Sequence, residues 1–155
     1  MANKINKITY IIDGNNLIGQ MRDLSAIQKK DPQGSREKLA IILDRYFSKK
    51  KIKVYLHFDG YKNLSIKSLA SITYSDNKPA DINIKKQIES IDNKKLITVI
   101  SSDGNILEFA RVCSCNIMKS EDFAKLLNKN EDDKSEEKII NSITNEEIKK
   151  MFNVD

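Results

Sequence analysis

The clearest indication of the fold class is the sequence ITYII at residues 8–12, followed by DGNN at 13–16. A short, continuous apolar run of this kind is expected for a strand that is buried on both faces of a parallel sheet. The aspartate, glycine and asparagines after it favour a turn. The stretch therefore predicts a buried strand whose carboxyl end is marked by Asp13.

The same pattern recurs twice along the chain. IKVYLHF at 52–58 ends at Asp59, and LITVIS at 96–101 ends just before Asp103. Helix-like segments lie between these runs, one capped by Ser35 and another beginning near residue 80. Alternating strands and helices predict an α/β fold with a mainly parallel sheet and right-handed crossovers. In that class, sites form beyond the carboxyl ends of the strands.

The remaining segments set the predicted boundaries. Residues 20–34 are polar and irregular and predict a loop, and a helix from residue 120 to about 127 closes the body of the domain. Acidic, apolar-poor sequence then predicts a flexible linker over 128–142. A capping-box pattern at Thr144 predicts a short terminal helix within 143–155. One domain over 1–127 is thus followed by a linker and a helix.

Composition excludes several classes of protein. A chain of 155 residues is the size of one domain. Its apolar runs are far too short for a membrane helix, and its first residues lack the apolar core of a secretory signal. We therefore expect a cytoplasmic protein with no membrane partner. Two cysteines and one histidine are too few for a disulfide scaffold, a zinc finger or a haem site.

Charge is divided unevenly between the two parts of the chain. Residues 1–119 contain 21 basic and 12 acidic residues, a net of +9, whereas residues 120–155 have a net of −4. A basic body suggests a polyanionic partner, for which nucleic acid is the commonest candidate. A lysine-rich composition would produce the same balance without any partner. Charge alone leaves these two interpretations open.

Four aspartates fall where a parallel sheet would bring them together. Asp13, Asp59 and Asp103 each end a predicted strand, and Asp81 lies in the first turn of a predicted helix. Clustered carboxylates repel one another and need cations or protons for neutralisation. Oxygen-rich sites select Mg²⁺ or Mn²⁺, ions that can activate water and stabilise the leaving oxygen of a phosphodiester. The pattern predicts a metal site at the carboxyl edge of the sheet.

Each aspartate taken alone also has a structural interpretation. Asp-Gly is an ordinary turn sequence at residues 13 and 59, and Asp81 or Asp103 could simply cap a helix. The coincidence of three strand ends with one helix start favours the metal site over these separate explanations.

Six motifs in order give the sequence a family resemblance: YIIDGNNLIG (10–19), SREKLAIILDRYFSKKKIKVYLHFDG (35–60), PAD (79–81), ITVISSDGNILEFA (97–110), NIMKSEDFAKLL (116–127) and ITNEEIKKMF (143–152). Together they resemble the YacP-like branch of NYN domains, within the PIN-like nuclease superfamily. The resemblance implies a three-layer α/β/α sandwich around a mainly parallel sheet. It also implies a Mg²⁺- or Mn²⁺-dependent endoribonuclease, with RNA as a partner. Some members of the family cleave messenger RNA on the ribosome, which makes the ribosome a second expected partner.

The resemblance also implies roles for individual residues. The expected catalytic residues are Asp13, Asn16, Asp81 and Asp103. Metal ligands are expected at Asp13, Asp81 and Asp103, with Asp59 as a further candidate, and Ser101 and Ser102 are expected to orient Asp103 or a water molecule. Apart from the resemblance, candidate contacts to the nucleic acid at the rim of the site are Arg36, Lys62, Lys78 and Lys85, although Arg36 is also explained as an ordinary arginine on a helix surface.

Two rival interpretations remain open beside the nuclease. Many relatives have arginine and then an acid after the SSD motif, where this chain has Gly104 and Asn105, so the family's way of positioning the substrate does not carry over at this point. One rival is an RNA-binding or ribosome-associated adaptor that has lost catalysis, against which the retention of all four acids argues. A phosphatase or phosphotransferase is a weaker one, since it would usually need an Asp-x-Asp pair after the first strand.

Overall fold

The structure is a computed structural model and describes residues 7–134. Its strands are β1 (Ile8–Asp13), β2 (Ile52–Phe58), β3 (Ser71–Tyr74), β4 (Ile97–Ile100) and β5 (Asn116–Met118). Its helices are α1 (Gly14–Gly19), α2 (Arg22–Lys30), α3 (Pro32–Phe47), α4 (Ala80–Ser90), α5 (Gly104–Val112) and α6 (120–134). A single 3-10 turn, Lys94–Leu96, precedes β4.

The strands within residues 7–134 form one five-stranded sheet in the order β3-β2-β1-β4-β5. All four pairings are parallel, as the sequence predicted. The chain builds outward from β1 through β2 to β3 and then returns to the other side of β1 with β4. This order places a topological switch point between β1 and β4, where α/β folds form their crevice.

Helices cover both faces of the sheet. Alternate residues of β1 point to opposite faces, so Ile12 packs with α1, α2, α3 and α6, whereas Ile11 packs with α4 and α5. Both of these side chains are fully buried. The result is the α/β/α sandwich that the family resemblance implied.

The segment at 20–34 is helical, so its prediction as a loop was wrong. Met21 and Leu24 are buried and Ile27 packs against the same core, a helical spacing that the surrounding polar residues obscure. Asp31, rather than the predicted Ser35, caps α3: its side chain accepts a hydrogen bond from Gly34 N at 2.9 Å. Pro32 then occupies the first turn of α3.

Helix α6 continues through residue 134, which corrects the predicted boundary at 127. Leu127 is fully buried, and polar side chains of the residues that follow it bind to α3 at the protein surface. Glu131 pairs with Arg45 at 2.8 Å, and the ammonium of Lys134 donates to the Arg45 carbonyl at 2.7 Å. The rest of the predicted linker, 135–142, and the predicted terminal helix, 143–155, lie outside the described residues.

None of the helices within residues 7–134 has both the length and the hydropathy to cross a membrane.

Candidate functional site at the carboxyl edge of the sheet

A cleft of about 420 Å³ opens at the carboxyl edge of the sheet, beside the switch point. The ends of β1 and β2 and the starts of α4 and α5 surround it, because parallel strands bring all of their carboxyl ends to one edge. Its lining residues are Asp13, Asn15, Asn16, Asp59, Pro79, Ala80, Asp81, Asp103 and Ile106. The structure thus brings all four predicted acids to one cleft.

Asp13 is the most deeply buried of these acids, with 8% of its surface exposed. Ser101 Oγ donates a hydrogen bond to its Oδ2 at 2.9 Å. The pKa of Asp13 is raised to about 6, mainly by burial; the Ser101 hydrogen bond opposes this rise, and the negative charges of Asp59 and Asp103 add to it. A cation in the cleft would relieve the cost of keeping this carboxylate charged.

The turn from β1 into α1 depends on Gly14. A Cβ at this position would lie 2.7 Å from the His57 carbonyl oxygen and 2.7 Å from the ring of Phe58. Only glycine therefore lets the chain pass this close to β2. The close passage brings Asn15 and Asn16, at the start of α1, to the cleft.

Asn16, one of the expected catalytic residues, binds other parts of the protein through its side-chain oxygen. Its Oδ1 accepts hydrogen bonds from Ser102 N at 2.7 Å and from Ser120 Oγ at 2.6 Å. Asn16 therefore ties α1 to the turn after β4 and to the start of α6. This geometry makes it a positioning residue, because its side-chain oxygen already has two donors.

The two serines after β4 have different partners. Ser101 Oγ accepts a hydrogen bond from Asp103 N at 3.0 Å while it donates to Asp13, so this one hydroxyl positions both acids. The Ser102 hydroxyl instead donates to Glu121 Oε2 at 3.1 Å. Sequence reasoning missed Glu121, although the signal was present: it is an acid just beyond the end of a strand, as Asp59 and Asp103 are.

Asp103 and Asp59 both cap helices, a role that the structural interpretation gave to Asp103, whereas for Asp59 it predicted a turn. Asp103 Oδ1 accepts from Asn105 N at 2.8 Å at the start of α5. Asp59 Oδ1 accepts from Ala80 N at 2.8 Å and so caps α4 from a distant loop. Each cap uses Oδ1 of the carboxylate, which leaves Oδ2 as the oxygen for a role in the cleft.

Asp81 provides the test of whether the cleft fits a divalent ion. Its Oδ1 is buried and has no hydrogen-bond partner among residues 7–134. A buried carboxylate oxygen without a partner is costly, and a bound cation would remove that cost. Carboxylates are also the ligands that Mg²⁺ and Mn²⁺ prefer. The donor chemistry therefore fits such an ion, although within the described part of the chain no three His, Cys, Asp or Glu side chains are arranged as a ligand cluster.

Arg36 has a different role from the predicted phosphate contact. Its guanidinium donates to the carbonyl oxygens of Asp59 at 2.7 Å and Tyr61 at 3.0 Å. It also lies over the rings of Phe58 and Tyr74, 5.3 and 5.2 Å from their centroids. Arg36 thus fixes the chain that leaves β2, and its planar fork is satisfied by protein groups.

The three predicted lysine contacts remain predictions. Lys62 and Lys78 are exposed on loops that begin and end near the cleft. Lys85 lies on α4 with its ammonium 5.7 Å from the centroid of the Phe109 ring.

The single histidine has a structural position. His57 is paired in register with Asp13 and is 3% exposed. Its Nε2 contacts Gln87 of α4, and burial lowers its pKa. His57 therefore packs as a neutral side chain between β2 and α4.

Comparisons with known proteins agree with this architecture. A crystal structure of Rae1 (YacP) from Bacillus subtilis superposes with a TM-score of 0.71 at 20% identity, covering 94% of this chain and 87% of that one. A crystal structure of a mutant of the same protein gives a TM-score of 0.69 at 22% identity, covering 89% and 84%. No curated protein matches the sequence. The family model described as YacP-like NYN domain matches residues 10–154, and the chain therefore belongs to the YacP-like NYN domain family.

Proposed function

We propose that this chain is a divalent-metal-dependent endoribonuclease that hydrolyses phosphodiester bonds of RNA. Membership of the YacP-like NYN family supports nuclease chemistry in general. The observation on which the proposal depends is the acidic cleft at the switch point, lined by Asp81, whose buried Oδ1 has no hydrogen-bond partner among residues 7–134. Buried, unneutralised carboxylates weaken a fold, so their presence in a cleft indicates function.

Asp13, Asp81 and Asp103 are the residues that would hold Mg²⁺ or Mn²⁺, with the free Asp59 oxygen beside them. The ion would supply Lewis-acid stabilisation to the negative charge that develops on the phosphate. Ser101 keeps Asp13 and the backbone of Asp103 in fixed positions for this purpose.

The surroundings of the cleft supply the remaining parts of the proposal. Asn16 fixes the turn after β4 against α1, so that Asp13 at the end of β1 and Asp103 after β4 keep their spacing. Exposed Lys62 and Lys78 would bind phosphates on either side of the scissile bond. The net charge of +9 over residues 1–119 suits RNA as the substrate. As the more specific substrate, we propose messenger RNA on the ribosome.

A catalytically inactive RNA-binding or ribosome-associated adaptor is the second candidate. Two observations favour it: Asp59 and Asp103 already cap helices, and no ligand cluster is formed within residues 7–134. An adaptor would bind RNA equally well with and without a divalent ion and would not cleave it.

The deciding experiment is cleavage of single-stranded RNA by the purified full chain, with Mg²⁺ or Mn²⁺ and with chelator. We expect cleavage only with the ion. Asp13→Asn and Asp103→Asn each remove a negative charge but keep an oxygen that accepts the Ser101 or Asn105 hydrogen bond. Each should therefore lower the cleavage rate by at least about 100-fold without unfolding the protein.

Asp92→Asn is the matched control, because Asp92 is an exposed aspartate in the loop before β4, at the opposite edge of the sheet. Its rate should equal that of the unmodified chain. Undiminished cleavage by both cleft variants would refute the proposed mechanism, and chelator-resistant RNA binding without cleavage would favour the adaptor.

A further inference from the structure

The segment that joins β2 to β3, residues 59–70, is named here the crossover loop. Parallel strands are usually joined through a helix, whereas this connection contains no regular secondary structure. It leaves β2 at Asp59, which lines the cleft, and returns along α3 to the opposite edge of the sheet. Its first residues therefore belong to the surroundings of the cleft.

Side chains of α3 hold the backbone of this loop in place. Arg36 binds the carbonyl oxygens of Asp59 and Tyr61, and Gln33 exchanges two hydrogen bonds with the backbone of Leu64. Further along α3, Asp44 accepts from the Leu69 amide at 3.1 Å. The loop is thus fixed along its length, and whatever it presents to solvent is presented in a defined position.

Among the tyrosines, Tyr61 alone is exposed. Its side chain is 65% exposed, whereas Tyr10, Tyr46, Tyr55 and Tyr74 are partly buried against the sheet and its helices. Tyr61 lies two residues from Asp59, so their Cα atoms are at most about 7 Å apart. An exposed aromatic ring on a fixed backbone next to an acidic cleft is a feature that packing does not explain.

The charge around this ring suits a polyanion. Beyond Asp59, the crossover loop has no acidic residue, and it has exposed lysines at Lys62 and Lys67. Single-stranded nucleic acid is bound by this combination of aromatic rings, which stack on bases, and cations, which contact phosphates. A base-paired duplex offers no unstacked base to such a ring.

We propose that Tyr61 is a stacking platform for an unpaired RNA base next to the cleft, and that the crossover loop thereby selects single-stranded over double-stranded RNA. The inference deepens the proposed function, on which its choice of RNA rests. Arg36 takes part as a positioning residue, because it holds the Tyr61 backbone beside Asp59.

The test measures RNA binding separately from cleavage. Fluorescence anisotropy with a labelled single-stranded oligoribonucleotide is recorded in excess chelator, so that no divalent ion and no turnover contribute. We expect Tyr61→Leu to weaken binding about 10-fold and Tyr61→Phe to leave it within about twofold, since phenylalanine keeps the ring. Binding of a labelled RNA duplex should be the same for all three proteins.

Leu64→Ser is the matched control, because Leu64 is a similarly exposed side chain in the same loop, at 62%. Its affinity should equal that of the unmodified chain. Equal binding by Tyr61→Leu and the unmodified chain would overturn the inference, as would equal losses in Tyr61→Leu and Tyr61→Phe, or no RNA binding by the unmodified chain at all.

These outcomes separate the inference from the proposed function. Metal-dependent cleavage that is indifferent to Tyr61 would refute the stacking platform and leave the nuclease proposal standing. Binding that depends on the Tyr61 ring, without cleavage in the presence of any divalent ion, would support the stacking platform and refute the nuclease proposal.

Discussion

The two edges of the sheet differ in charge and in how their polar groups are held. The carboxyl edge contains the four cleft aspartates, several of them fixed by hydrogen bonds between distant parts of the chain. At the amino edge, lysines lie shortly before two of the strands: Lys49–Lys51 before β2 and Lys94–Lys95 before β4. The hydrated lysines cost the fold little, whereas the carboxylates are partly desolvated and repel one another. Function is therefore expected at the edge where the sequence weakens the fold.

The largest expected effect contrasts two acids on one helix. Asp81 lies in the first turn of α4 at the carboxyl edge, and Glu89 lies near its end toward the amino edge. Asp81→Asn should lower metal-dependent RNA cleavage by at least about 100-fold, because it removes the charge of a carboxylate whose Oδ1 has no partner among residues 7–134. Glu89→Gln should leave the rate unchanged. Equal rates in a steady-state cleavage assay would abolish the distinction between the two edges.

The second prediction concerns pH and stability without metal. With its pKa raised to about 6, Asp13 binds a proton more tightly in the folded state than in the unfolded state, where its pKa is about 3.8. The stability associated with Asp13 is therefore present at low pH and is lost between about pH 4 and pH 6, a change of about 3 kcal/mol.

Urea titrations of the unmodified protein and of Asp13→Asn, both in the presence of chelator, measure this effect. The difference in free energy of unfolding should shift in favour of Asp13→Asn as the pH rises from 4 to 7. A difference that stays constant with pH would show that the carboxylate is not destabilised by its site.

The third prediction tests how the loop beside the cleft is held. Arg36→Ala removes two hydrogen bonds and the contact with the rings of Phe58 and Tyr74. We expect the free energy of unfolding to fall by about 1–2 kcal/mol. Arg36→Lys should recover only part of the loss, since a single ammonium does not reproduce the planar fork.

Arg22 supplies the control for this measurement, because it is an exposed arginine on α2. Arg22→Ala should change the free energy of unfolding by less than about 0.5 kcal/mol. If the two alanine variants unfold at the same urea concentration, the loop is not fastened by Arg36.

The smallest expected effect compares lysine pairs at the two edges. Replacing Lys62 and Lys78 by glutamine should weaken binding of single-stranded RNA several-fold and flatten its dependence on salt. Replacing Lys49 and Lys51 should have little effect, because β2 separates the two edges by roughly 20 Å, beyond the screening length of about 10 Å at 0.1 M salt. Anisotropy titrations across salt concentrations provide the measurement, and equal losses for both pairs would point to an RNA path over both edges.

Much of the fold was predictable because the relevant signals are local. The runs that became β1, β2 and β4 are rich in apolar residues, and an aspartate lies at or just beyond the end of each. Helix α2 was missed because its apolar positions are few and dispersed among charged residues. The extension of α6 was missed because its polar turn is held by Arg45, far away in the sequence.

For the site, the acids at the strand ends could be assigned to the cleft from the sequence, since parallel strands bring their carboxyl ends to one edge. The hydrogen bonds that each polar atom makes there became known only from the folded structure. Asn16 Oδ1 accepts from donors in the turn after β4 and in α6, Asp59 caps α4, and one Asp81 oxygen has no partner among residues 7–134. Such differences depend on partners brought close by folding, because a hydrogen bond is decided by distance in space and not by position in the chain.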